Sequence, residues 1–145
     1  MILRRRWQMG SDKFQVFIII MEFLGITKKG AGRGKKIGFP TINLDLLSSK
    51  YEEGVFAVRG NFSGKKFQGI AHFGPRPTFA DKNLSVEIHI FDFAGKVSER
   101  TQVKFETIGE KIRGIQKFDS EQDLKKQIEQ DCRQARLLLK IQQIM

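Results

Sequence analysis

The stretch Gly30-Ala31-Gly32-Arg33-Gly34-Lys35-Lys36-Ile37-Gly38-Phe39-Pro40-Thr41-Ile42-Asn43 decides how the rest of the chain is read. Four glycines and three cations fall within residues 30–38. Glycine lets a ligand come close to the backbone, and successive N–H groups in such a turn form a concavity that favours anions. Pro40 then fixes its own φ and pushes Phe39 into an extended conformation. Thr41 and Asn43 follow two residues apart, which on a strand places them on one face. A hydroxyl beside an amide oxygen makes a pair of hard oxygen donors, suited to a Mg²⁺ that keeps most of its waters and shares phosphate oxygens.

Two familiar phosphate motifs do not fit. The P-loop requires Ser or Thr after its Gly-Lys, and Gly34-Lys35 is followed by Lys36. The dinucleotide fingerprint requires G-x-G-x-x-G, whereas the spacing here is G-x-G-x-G. Loop chemistry by itself therefore leaves a solvated basic turn and a phosphate site as equal readings.

The flanking sequence reads as a β protein. Residues 55–62 and 66–73 flank Ser63-Gly64-Lys65 and form a predicted hairpin. Residues 85–91 alternate, with Val86, Ile88 and Ile90 on one face and Ser85, Glu87 and His89 on the other. Val103 and Phe105 mark another strand. Short strands separated by turns predict a small antiparallel barrel or sandwich. The end of the chain differs: Asp119 and Ser120 are N-cap types, and Leu124, Ile128, Cys132, Ala135 and Leu139 then recur at helical spacing. Cys132 lies on that apolar stripe and reads as a small packed side chain rather than a nucleophile.

At 145 residues the chain predicts one domain. Its hydrophobic content of 40% and charged content of 29% are those of a globular protein. The net charge of +10 admits nucleic acid, an anionic membrane or phosphorylated small molecules as partners. The charge is dispersed, and only the cluster at residues 28–36 sits on a glycine-rich loop, which favours a local phosphate site. A lone cysteine forms no intrachain disulfide and fits a reducing cytoplasm. The apolar run at residues 16–24 is too short to span a membrane. Basic residues precede it as in a signal peptide, but no small-x-small cleavage site follows. A first strand is expected to begin within residues 17–27. Residues 1–20 are then an extension, disordered or lying ahead of a start at Met21, and residues 21–145 form the domain.

The run Gly32 to Leu44, Gly-Arg-Gly-Lys-Lys-Ile-Gly-Phe-Pro-Thr-Ile-Asn-Leu, resembles the signature of the ATP-dependent riboflavin kinase family, which includes the C-terminal half of bacterial bifunctional FAD synthetases. Further blocks match in the same order: Gly54-Val55-Phe56-Ala57-Val58, then Arg76-Pro77-Thr78-Phe79, then Val86-Glu87-Ile88-His89-Ile90 with Asp92-Phe93, then Ile112-Arg113 and Lys117-Phe118-Asp119-Ser120. The resemblance covers residues 23–136. It implies a six-stranded antiparallel Greek-key barrel with one long C-terminal helix. The reaction it implies is transfer of the γ-phosphate of ATP to the ribityl hydroxyl of riboflavin, giving FMN, with Mg²⁺. Glu87 matches the catalytic base. Gly30, Gly32, Gly34, Lys35 or Lys36, Thr41, Asn43, Ile90 and Asp92 match nucleotide-binding positions, with Thr41 and Asn43 also the metal ligands. Arg113, Gln116 and Phe118 match the flavin loop, Phe118 either stacking on the flavin or stapling the helix start.

Two departures stand out. Ser98-Glu99 replaces the family's usual Tyr-Gly, and Gly114-Ile115-Gln116 replaces a charged run. Both point to weakened substrate binding in an otherwise equipped kinase. No segment before Phe23 matches the adenylyltransferase domain of the bifunctional relatives, so FMN is the expected final product. The expected partners are ATP and riboflavin, with no nucleic acid and no membrane, and the expected state is a cytoplasmic monomer. A basic barrel that binds single-stranded nucleic acid, with thirteen Phe side chains for stacking, is the competing class. A flavin-binding barrel without catalysis is the other.

Overall fold

The computed structural model describes residues 2–9, 14–30, 33–47, 50–74 and 85–144. Among them are strands β1 (Ile2–Met9), β2 (Phe14–Lys28), β3 (Ile42–Leu46), β4 (Gly54–Phe62), β5 (Lys65–Phe73), β6 (Ser85–Ile90) and β7 (Gln102–Arg113), with helices α1 (Arg33–Lys36) and α2 (Glu121–Ile144).

The strands run β1-β2-β3-β6-β5-β4-β7, and β7 pairs back onto β2. Six antiparallel strands, β2 to β7, thus close on themselves. Strands β4, β5 and β6 follow one another as neighbours, and β3 lies beside β6, which is the Greek-key order expected from the resemblance. The β4–β5 hairpin turns on two residues, Ser63 at φ 49° and Gly64 at φ 76°. Both sit in the left-handed region that tight hairpins require.

The N-terminus departs from the expectation. The first barrel strand begins at Phe14 rather than within residues 17–27, and β1 pairs with residues 14–21 as a seventh strand outside the ring. Phe14, Val16, Phe17 and Ile18 to Ile20 are strand formers, which lets β2 continue past the barrel rim and take a partner of its own.

Alternation along the strands builds two cores. Phe23, Leu44, Phe56, Val58, Phe67, Phe73, Val86, Ile88, Val103 and Phe105 point inward and fill the barrel. Ile20, Val55, Ala57, Ile70 and Ile108 point outward and are covered by Ala135 and Leu139 of α2. Ser120 caps α2 by accepting a hydrogen bond at 3.1 Å from the Asp123 N–H. The buried face of the helix is offset from the expected stripe. Asp131, Ala135, Leu139 and Gln142 are buried, while Leu124, Ile128 and Cys132 are half-buried. Two polar side chains occupy the buried face because the barrel supplies partners: Arg113 for Asp131 and Arg59 for Gln142. Burial first, and the Asp131 carboxylate second, push the Cys132 thiol up to about 11, which fits the packed side chain expected.

Candidate active site

The site is built on the outer face of the barrel by strand register. Residues directly opposite in an antiparallel pair share a face, with Cβ atoms roughly 4.5–5.5 Å apart. Asn43 of β3 lies opposite Lys28 of β2 on one side and Glu87 of β6 on the other. Glu87 in turn lies opposite His72 of β5, His72 opposite Val55 of β4, and Val55 opposite Arg113 of β7. One row of side chains therefore crosses the barrel wall: Lys28, Asn43, Glu87, His72, Val55, Arg113. The last step depends on an irregularity. Ala57 pairs with Ile108, yet Val55 pairs with Arg113, so residues 109–112 of β7 all stand opposite Phe56. Gly109, at φ 77°, opens this bulge and re-aims the strand end.

The glycine-rich loop folds onto the Asn43 end of the row. A Cβ added to Gly30 would lie 1.8 Å from the Asn43 Nδ2, and one added to Gly34 would lie 2.1 Å from the Phe39 carbonyl oxygen and 3.3 Å from the Thr41 Cγ2. Close approach, rather than chain flexibility, is what these glycines provide. Residues 33–36 form a single helical turn instead of an open concavity. The Ile37 and Phe39 N–H groups donate to the Gly34 carbonyl, and that of Gly38 donates to the Lys35 carbonyl. These three donors are therefore spent within the loop, and Gly38 at φ 88° ends the turn. Lys35 and Lys36 are exposed. Gly32 and the Arg76-Pro77-Thr78-Phe79 block lie outside the described residues. His89 braces the loop from β6: its Nδ1 donates to the Pro40 carbonyl at 2.8 Å, and its ring meets Phe39 edge-on at 5.3 Å.

At the far end of the row, both Asp131 carboxylate oxygens accept from the Arg113 Nε, at 3.0 and 2.9 Å. Asp131 is 1% exposed and also accepts from the Gln127 amide at 3.0 Å. The Arg113 guanidinium stands 5.6 Å from the centre of the Phe118 ring. Gln116 is exposed in the same segment. Between the two ends, the His72 imidazole is held below its usual pKa of 6.5, first by burial and then by Arg113, with Glu87 opposing the shift.

Ile90 and Asp92 fall elsewhere. Ile90 is buried in the barrel core, three residues along β6 from Glu87, or roughly 10 Å. Asp92 is in a turn at φ 55° and pairs with Arg136, which lies 4.1 Å over the Phe91 ring. Both line a groove of about 790 Å³ together with Arg59, Lys65, Lys66 and Phe93. Glu87, Asn43, Gly30 and Arg113 do not line it, so register locates the candidate chemistry here and the cavity does not. The segment with the Ser98-Glu99 departure is fastened to β2, since the Ser98 carbonyl accepts from the Thr27 hydroxyl at 2.6 Å.

Sequence reasoning missed two members of the site, His72 and Asp131. The signal for His72 was weak: an imidazole in the apolar second half of a strand that opens with Lys65 and Lys66. For Asp131 it was the helical spacing to Ala135 and Leu139.

The riboflavin kinase (flavokinase) family model matches residues 20–139, and the chain belongs to that family. It is 36% identical over 116 residues to the bifunctional riboflavin kinase/FMN adenylyltransferase of Bacillus subtilis (strain 168), covering 77% of this chain and 36% of that protein. It is 33% identical over 109 residues to the RNA-binding riboflavin kinase RibR of the same organism, covering 74% of this chain and 46% of that one. A solved structure described as a macrolide-efflux protein from Streptococcus pneumoniae shares the fold at a TM-score of 0.66 and 33% identity, over 76% of this chain and 36% of that chain. The chain thus spans less than half the length of each of these relatives. Among the described residues, no helix is long and apolar enough to cross a membrane.

Proposed function

We propose that this domain transfers the γ-phosphate of ATP to the ribityl 5′-hydroxyl of riboflavin, giving FMN and ADP. The observation that carries the reading is the opposition of Asn43 and Glu87 across β3 and β6. Phosphoryl transfer is mostly positioning and charge neutralisation, with one group to take the nucleophile's proton. The row provides these in order. Arg113 and Phe118 offer a cation and an aromatic face for the flavin ring. Glu87, on the same outer face, is the base that accepts the hydroxyl proton. Asn43, Thr41 and the loop over Gly30 and Gly34 take the phosphate end. Lys35 and Lys36 add positive charge there, and the nucleoside end falls to Asp92, in the turn after β6, and to the backbone of Ile90.

The donors fit Mg²⁺. Thr41 and Asn43 supply a hydroxyl and an amide oxygen, and the absence of a side chain at Gly30 is what lets the Asn43 amide lie directly against the loop. Two neutral donors leave most coordination positions to water and phosphate, as Mg²⁺ prefers. The ion would supply neutralisation of phosphate charge. We take residues 21–145 as the kinase domain and residues 1–20 as an extension to it, with a cytoplasmic monomer as the working state.

The test is FMN formation from riboflavin, ATP and Mg²⁺ by the purified protein and by Glu87→Gln. Wild-type turnover with a loss of about 10²-fold or more in the variant is expected. No FMN from the wild type, or full rate in the variant, rejects the assignment. A second reading, an oligonucleotide-binding barrel, is favoured by the net charge of +10 and by the relative named as an RNA-binding riboflavin kinase. It predicts oligonucleotide binding that weakens steeply with salt, without flavin binding.

A further inference from the structure

His72 stands at the centre of the row with no part yet assigned to it. Its position is set by the backbone. On β5, Ala71 and Phe73 face the barrel interior, so His72 is the side chain that β5 presents to the outer face opposite Glu87. Glu87 therefore has two cross-strand neighbours, the Asn43 amide on β3 and the His72 imidazole on β5. Asn43 lies packed against Gly30 at the loop end. The charged groups acting on His72 are Glu87 from β6, Arg113 from β7 and Asp131 from α2. A neutral imidazole carries one N–H donor, and a carboxylate is an acceptor only, so the neighbours are complementary.

We propose that His72 is a positioning residue that holds the Glu87 carboxylate toward the acceptor hydroxyl, deepening the phosphotransfer reading on which it rests. Arg113, two register steps beyond His72, is paired with Asp131 rather than with Glu87. Burial keeps the ring neutral at neutral pH. In acid, a His72 cation would stabilise the charged carboxylate and weaken it as a base. The acid limb of the rate profile then belongs partly to His72.

The experiment compares wild type, His72→Asn and His72→Leu in FMN formation, and follows the Glu87 carboxyl by ¹³C NMR titration. His72→Leu is expected to lower kcat roughly 10–100-fold, with KM for ATP and riboflavin held within about twofold, because a misplaced group costs rate rather than binding. His72→Asn, neutral and able to donate, is expected to keep kcat within about threefold and to lose the His72 inflection in the acid limb. Wild-type kcat in His72→Leu, or equal losses in both variants, overturns the proposal while phosphotransfer stands. Absence of wild-type turnover overturns the phosphotransfer reading itself, and the proposal with it. Where His72→Leu does not fold, the wild-type carboxyl titration decides. A second inflection of the Glu87 signal below pH 6.5, absent in His72→Asn, supports the coupling, and a single carboxyl inflection overturns it.

Discussion

Gly30 and Asn43 show how one missing side chain sets a site. A methyl at Gly30 would overlap the Asn43 amide, the movable end of a side chain rather than backbone. Gly30→Ala should therefore cost about 1–3 kcal/mol, since the amide it displaces is buried. The displaced amide should also weaken Mg²⁺ affinity by about tenfold or more. Thermal unfolding and the Mg²⁺ dependence of turnover, measured together, check this. An unchanged metal dependence would refute it. The candidates at this scale came from the sequence in two ways: Thr41 and Asn43 by type and spacing, and Glu87 by the family resemblance. His72 did not, because nothing local distinguishes a histidine beside a base from one on an ordinary strand face.

Helix α2 is joined to the barrel by an ion pair near its first half and a polar contact near its end. Arg113 to Asp131 is the stronger test, since the two side chains are only 15% and 1% exposed. Removing one partner strands a buried charge, so Asp131→Ala should cost about 3–5 kcal/mol. It should also free Arg113 and weaken riboflavin binding. Urea unfolding and flavin fluorescence titration measure the two effects, and a loss below about 1 kcal/mol would mean that the pair is solvated. The existence, start and length of this helix could be read from Ser120 and the apolar spacing. The buried face could not. Asp131 and Gln142 face inward because Arg113 and Arg59 meet them there, and neither arginine announces that partnership in its own strand.

Taken whole, the molecule is a closed wall with an inner core and an outer core, and the candidate site crosses the outer face beside the helix. One consequence reaches global stability. His72 is held below its ordinary pKa of 6.5 by burial, so as pH falls through 6.5 the unfolded chain takes up that proton before the folded one does. The folded state then loses stability until the pH reaches the lowered folded-state pKa, where the loss stops. Above 6.5 the residue contributes no slope. Urea unfolding across this window should show an acid decline that His72→Asn reduces, and an unchanged slope in the variant would assign the decline to other groups.

Composition, alternation and the Gly32 to Leu44 signature were enough to determine the antiparallel barrel, the closing helix and the family resemblance, and to nominate the oxygen donors and the acid. These are properties of short range, in which period, turn chemistry and residue type repeat within a few positions. The tertiary structure alone decided which of these residues stand together. Closure of the ring set Asn43 opposite Glu87 and Glu87 opposite His72, and the bulge at Gly109 brought Arg113 to the end of the same row. Register is a long-range property, fixed by which strands pair once the inward faces are buried, and no local pattern contains it.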